Sequence, residues 1–278
     1  ADGTWSYDYT AFDRWISFLA SCGINGDINC FSMVPWDMTF TYYDEASKSY
    51  KELKTTTDSK EYSDLWIPFL RLFAAHQKEK GWFDRTVIAM DERALDAMQD
   101  AYRIAQEAAP GIKMSLAGNY HKELVDKIYD YCIAWKQQFT PEDLALRNSK
   151  GWISTSYTAC PDAMPNVGSN NEPIEATYLP LYCLANGFNG FLRWSWMNWT
   201  DNPMYDSRFK LFTPGDTYIV YPGNHSSRRF EHIIRGVQNV AKIETLRKEY
   251  KQKRNQKALL LLEDALSQFK NPTPNEAE

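Results

Sequence analysis

Apolar and polar positions follow two alternating rhythms along this chain. Helical spacing marks residues 11–20, 63–80, 92–108, 122–139, 175–185 and 227–250. Several of these stretches end where a helix should stop: Gly23 follows the first, Gly81 the second, Ala109-Pro110-Gly111 the third and Gly187 the fifth. Between them lie short runs that read as buried strands, at residues 28–34, 86–90, 112–116, 152–158, 190–197 and 217–220. Residues 40–57 are polar and aromatic and read as an excursion or hairpin. Residues 251–257 form a basic, solvated face before a further apolar helix, and residues 271–276 read as a frayed tail.

Strands alternating with helices predict an α/β fold with a parallel sheet and helical crossovers. Two closures fit, an open doubly wound sheet and a (β/α)8 TIM-type barrel. The first should carry a Gly-x-Gly-x-x-Gly turn after its first strand, and the sequence has none. The second gains from what stands just past nearly every strand: Trp36 after Pro35, Asp91 with Glu92, Asn119 with Tyr120, Tyr157, then Trp196, Asn198 and Trp199, then Tyr221. Barrel enzymes build their sites at these strand ends. The expectation is therefore a barrel catalytic domain over residues 1–250, with a C-terminal helix and tail over residues 251–278. About six strands are convincing where the barrel needs eight, and the first strong element is a helix. Both points suggest the C-terminal portion of a longer protein, without its first strands.

Composition narrows the function. The 278 residues are 44% hydrophobic and 24% charged, which excludes a disordered chain. A net charge of -5 argues against a general nucleic-acid binder. No apolar run approaches the ~20 residues of a membrane helix, and a signal peptide is absent or already removed. The four His show no ligand spacing with the five Cys, and neither His-Glu-x-x-His nor Gly-x-Ser-x-Gly occurs, so no metal, no cofactor and no esterase elbow are expected. Aromatics reach 15%, and open aromatic clefts suit sugars, whose C–H faces stack on rings. A glycan or glycoconjugate is the expected partner; oligomeric state is not legible.

Asp91-Glu92 follows the most apolar strand. The plain reading is a helix cap and a first-turn acid; the functional reading is an acid/base pair at an aromatic rim. Glycosidases with two opposed carboxyls hold them ~5–5.5 Å or ~6.5–9.5 Å apart across the bond. Sequence neighbours do not straddle a sugar in that way. They suit substrate-assisted hydrolysis of a 2-acetamido sugar, in which the acetamido oxygen attacks the anomeric carbon. Residues 193–201 form the second constellation. Strand alternation would put Trp194, Trp196 and Asn198 on one face, with Trp199 and Asp201 following, as a sugar platform with polar tips or as core-filling indoles. Trp36, Asn119, Tyr120 and Tyr157 could each bind a ligand or be a buried ring with a satisfied tip. Two other functions stay open: a glycosidase on a non-acetamido sugar that pairs Glu92 with distant Asp201 or Glu172, and a non-catalytic glycan-binding protein.

Three segments together, Ala89-Met90-Asp91-Glu92, the Trp-rich residues 190–199, and Pro214-Gly215-Asp216-Thr217-Tyr218-Ile219-Val220-Tyr221-Pro222-Gly223 followed by Ser227-Arg228-Arg229, resemble glycoside hydrolase family 123, the bacterial β-N-acetylgalactosaminidases. The opening Tyr9-Thr10-Ala11-Phe12-Asp13-Arg14-Trp15 fits the start of a barrel helix, and the resemblance runs through residues 5–250. It implies removal of β-linked N-acetylgalactosamine with retention, through an oxazolinium intermediate. Asp91 would orient the acetamido group and Glu92 would act as general acid/base. It also implies a preceding β-sandwich domain and a periplasmic or cell-surface location.

Overall fold

The computed structural model describes residues 3–160, 162 and 164–270. The chain divides into two compact units, residues 1–131 and 132–278. In the first, α1 (Thr10–Ser21) precedes β1 (Ile28–Phe31), and the hairpin β2 (Thr39–Asp44) and β3 (Ser49–Lys54) follows. Then come α2 (Lys60–Glu79), β4 (Thr86–Met90), α3 (Leu95–Ala108) and β5 (Lys113–Gly118). The expected hairpin is antiparallel, from Thr39 opposite Lys54 to Asp44 opposite Ser49. The β4 strand lies between β1 and β5, parallel to both, and all five of its residues are buried. Burial on both faces explains why it reads as a continuous apolar run rather than an alternating one. The α3 helix turns Met98, Ala101, Ile104, Ala105 and Ala108 inward, one stripe at helical spacing. The α2 helix starts at the cap Ser59, whose hydroxyl accepts from the Tyr62 N–H at 3.1 Å.

Strand β6 (Asp130–Ala134) ends the first unit and opens the second. The second unit continues with α4 (Pro141–Ser149), β7 (Ile153–Tyr157), α5 (Pro173–Ala185), β8 (Gly190–Leu192), α6 (Arg228–Gln252) and α7 (Gln256–Ser267). Strands β7 and β8 pair in parallel, from Thr155 opposite Gly190 to Tyr157 opposite Leu192. Val167, Ala176, Leu179, Ile219 and Ile233 form a core that Phe191 and Phe230 cover. Among the described residues the sheet has six strands in the order β1-β4-β5-β6-β7-β8. This is chain order throughout, as in a barrel; a doubly wound sheet reverses at a switch point. The α/β class and the winding match the expectation, with six barrel-type strands rather than the eight of a full (β/α)8 barrel.

Four expectations are corrected. Residues 122–139 are not a helix: a single 3-10 turn at Lys122–Leu124 precedes β6. Tyr131, Cys132 and Ile133 are buried in succession, a run that periodicity alone cannot assign to helix or strand. The α4 helix has no counterpart in the expected elements, although Thr140 caps it by accepting from the Asp143 N–H at 3.2 Å and Pro141 opens it. The strand expected over 190–197 stops at Leu192, and residues 217–220 form no regular strand but bridge through Tyr218 to Met197. The expected tail, residues 271–276, lies outside the described residues. No helix among the described residues is long and apolar enough to cross a membrane.

Helices α5 and α6 approach closely at Gly236, where a Cβ would stand 2.7 Å from the Thr177 carbonyl and 2.9 Å from Pro180 Cγ. On an open helix Gly→Ala stabilises by up to ~1 kcal/mol. At this crossing the sign reverses, because backbone cannot give way. Gly236→Ala should destabilise the protein by about 1–3 kcal/mol, read as a lower denaturation midpoint at unchanged slope.

Candidate active site

In the first unit, β4 ends at Met90 and α3 begins only at Leu95, so residues 91–94 form an irregular connector. The residue before the helix is Ala94, not Asp91, and it makes no side-chain cap. Asp91 is therefore not the helix cap. Its half-buried carboxylate is instead held at both oxygens: Oδ1 accepts from the Glu92 N–H and Oδ2 from the Trp36 indole N–H, each at 2.8 Å. Trp36 lies beyond β1 and is 66% exposed. The Arg93 guanidinium sits 4.1 Å from the Trp36 ring centre while its Nε donates to the Val34 carbonyl at 2.9 Å. A four-residue connector and the loop after β1 thus fix each other around Asp91.

Glu92 is exposed and lies against the end of β5, where a Cβ on Gly118 would meet Glu92 Cα at 3.5 Å. Asn119 and Tyr120 follow Gly118, the first exposed and the second half-buried. Their loop is fastened by the fully buried Tyr131, whose hydroxyl donates to the Asn119 carbonyl and accepts from the His121 N–H, both at 2.7 Å. The first unit thus brings Asp91, Glu92 and Trp36 into one hydrogen-bonded set and presents Asn119 and Tyr120 on the neighbouring strand's loop. An aromatic cavity of about 1190 Å³ in the same unit is lined by none of these residues.

In the second unit, Trp194, Trp196, Asn198 and Trp199 are all exposed. They lie past the end of β8, so strand alternation does not govern them. Backbone bonds to residues 217–220 hold the segment instead: Asn198 N–H to the Thr217 carbonyl, and Ile219 N–H to the Trp196 carbonyl, both at 3.0 Å. The expected polar tips also differ. The Trp194 indole N–H donates to Asp216 Oδ2 at 3.1 Å, and that of Trp199 to the Val220 carbonyl at 2.8 Å. These two rings can offer a ligand their faces but not their donors. Trp196 stands edge-on to Phe230, with ring centres 6.0 Å apart. Tyr157 is buried, so little of its ring can meet a ligand. Of the distant carboxylates considered, Glu172 is the N-cap residue of α5, its N–H donating to Glu175 Oε1 at 2.9 Å, while Asp201 is exposed.

Sequence reading missed what anchors this segment. Arg193 and Asp216 form a buried ion pair, Nη2 to Oδ1 2.5 Å, and the same nitrogen donates to the Asp216 carbonyl. Nearby, Arg229 Nη1 donates to the carbonyls of Val167 at 2.6 Å and Gly215 at 2.7 Å, and burial holds its guanidinium below the usual arginine range. Gly215 has φ +74°, and a Cβ there would stand 3.0 Å from both Arg229 Nη1 and the Ser169 backbone nitrogen, so only glycine suits it. The available signal was a pair of charged residues inside otherwise apolar and aromatic segments.

A parallel sheet in barrel order with two adjacent carboxylates just past a strand end, Asp91 among them held at both oxygens, is the arrangement on which barrel enzymes build their active sites. The chain belongs to glycoside hydrolase family 123: the model of that family's catalytic domain matches residues 1–246. The chain is similar to a family 123 glycoside hydrolase from Clostridium perfringens whose structure was solved to describe glycolipid glycan hydrolysis. The two are 28% identical with a TM-score of 0.88, over 97% of this chain and 50% of that one. The chain thus spans about half the length of that relative. No curated protein sequence matches it.

Asp216 carries the second unit's rim. Asp216→Asn keeps the shape and removes the charge, leaving Arg193 buried and unpaired. Breaking a buried pair from one side costs about 3–5 kcal/mol. Chemical denaturation should show a loss of that size, whereas the exposed Asp201→Asn should change stability by no more than ~0.5 kcal/mol.

Proposed function

We propose that this chain is the catalytic part of a glycoside hydrolase that removes β-linked N-acetylhexosamine, N-acetylgalactosamine first, with retention of configuration. The observation that carries the reading is the state of the Asp91–Glu92 pair. The two carboxylates are adjacent and outside any helix, and Asp91 is held at both oxygens, by the Glu92 N–H and the Trp36 indole N–H. A clamped carboxylate suits an orienting role: Asp91 receives the acetamido N–H of the substrate and offsets the positive charge of the ring that forms. Glu92 suits proton transfer, because its exposed carboxyl can meet the glycosidic oxygen and later a water.

In the first step the acetamido oxygen bonds to the anomeric carbon, the glycosidic C–O bond breaks, and the leaving oxygen takes the Glu92 proton. In the second, Glu92 removes a proton from water, the water oxygen bonds to the anomeric carbon, and the oxazolinium ring opens. Two inversions give net retention. Trp36 is a positioning residue, since its N–H orients Asp91. Trp196 is proposed to stack on sugar. Family 123 membership and the likeness to the clostridial enzyme, whose described action is on glycolipid glycans, support this reading. Location in the periplasm or at the cell surface is part of the same proposal.

General acid catalysis contributes ~10²–10⁴-fold, so Glu92→Gln should slow substrates with poor leaving groups by that factor and recover much of the rate with a dinitrophenolate. Asp91→Asn should slow both substrate types alike, because cyclisation is damaged whatever leaves. Reversed behaviour would exchange the two roles, and less than tenfold effects from both would remove the pair from the mechanism. Trp196→Ala should lower kcat/KM far more than it lowers the thermal midpoint; parallel losses would make Trp196 a packing residue.

A further inference from the structure

The aromatic cavity of the first unit is unused by the mechanism above. Three parts of the chain line it: residues 3–9, residues 40–46 (β2 from Phe40 onward and the start of its turn), and Leu65, Trp66 and Phe69 of α2. Strand periodicity places Phe40, Tyr42 and Asp44 on one face of β2, and all three are half-buried. Tyr42 meets Trp5 edge-on, ring centres 5.2 Å apart, and Phe40 meets Trp66 edge-on at 5.8 Å. Rings set at right angles give a trough with walls in two directions rather than a flat patch. At about 1190 Å³ it exceeds the ~300–1,000 Å³ of ordinary small-molecule pockets, which favours several linked rings over a single one.

The charges around the trough define the ligand chemistry. The lining carries Asp8, Asp44 and Glu45 but no Lys or Arg, and among the described residues only Asp44 of these three has a cationic partner, Lys51. A negative lining accepts hydroxyl donors and repels anions. We propose that this trough is a second carbohydrate site that holds a neutral oligosaccharide, stacked on Trp5 and Tyr42 and excluded if sulfated. It would keep a glycan on the enzyme independently of Asp91 and Glu92.

The test is isothermal titration of the whole chain with a neutral N-acetylhexosamine tetrasaccharide and with its sulfated form. It reads binding, so it does not require the hydrolytic reading to hold. Glu92→Gln should bind the neutral tetrasaccharide as the unchanged protein does. Trp5→Ala and Tyr42→Ala should each weaken it at least tenfold, while hydrolysis of a small chromogenic N-acetylhexosaminide stays within twofold. Glu45→Lys, at an exposed position that the fold does not use, should narrow the preference for neutral over sulfated sugar at least threefold. Thermal melts identify any variant that has unfolded, and Glu45→Lys then carries the decision. No binding by the unchanged chain, binding by both ring variants as tight as that of the unchanged chain, or preference for the sulfated sugar that Glu45→Lys leaves unaltered would overturn the proposal. If chromogenic hydrolysis is absent in every protein, the catalytic reading fails while the binding result still stands.

Discussion

A strand buried at every position cannot hold a charge, and that constraint sets where the chemistry begins. All five residues of β4 are enclosed between β1 and β5. The first residue past it is Asp91, the first place on this path where a carboxylate can be solvated or paired. An immediate helix would have committed Asp91 to the exposed N–H groups of its first turn. Delaying α3 to Leu95 leaves Asp91 to be gripped from the side, by Trp36 across 55 residues of sequence. The cost of exposing an indole at 66% is offset by the Arg93 guanidinium over its face.

Indole N–H groups recur as fasteners rather than ligand donors. Trp36 donates to Asp91, Trp194 to Asp216 and Trp199 to the Val220 carbonyl. In each case the donor is consumed while the ring stays partly exposed. Such rings are stiff and can contribute stacking surface at little entropic cost. For Trp194 the acceptor is the charged, buried Asp216, and Arg193 on its other oxygen makes that burial tolerable. The irregular segment after β8 is therefore ordered without being a strand.

Short-range physics was legible in the sequence, and long-range pairing was not. Strand β4, the β2–β3 hairpin and the α3 stripe follow from residue type and period alone. Strand β6 was lost because Tyr131, Cys132 and Ile133 are buried together, and such a run suits a buried helix equally well. The Asp91–Glu92 pair stood out because two charges abruptly end the most apolar strand. Its clamp did not, since nothing local joins Trp36 to Asp91. The strand expected over residues 190–197 was cut short for the same reason: past Leu192, hydrogen bonds to residues 217–220, distant in sequence, replace the ladder that alternation assumes.

The central claim is that the substrate's own acetamido oxygen is the nucleophile and Asp91 its orienting partner. The most direct measurement is kcat/KM for a series of aryl 2-acylamido-2-deoxy-β-galactosides with N-acetyl, N-fluoroacetyl, N-difluoroacetyl and N-trifluoroacetyl groups. Each fluorine withdraws electrons from the carbonyl oxygen while changing its size little. The account predicts a steep, progressive fall along the series. A flat series would contradict it, because a carboxylate or water attacking directly does not draw on the amide oxygen.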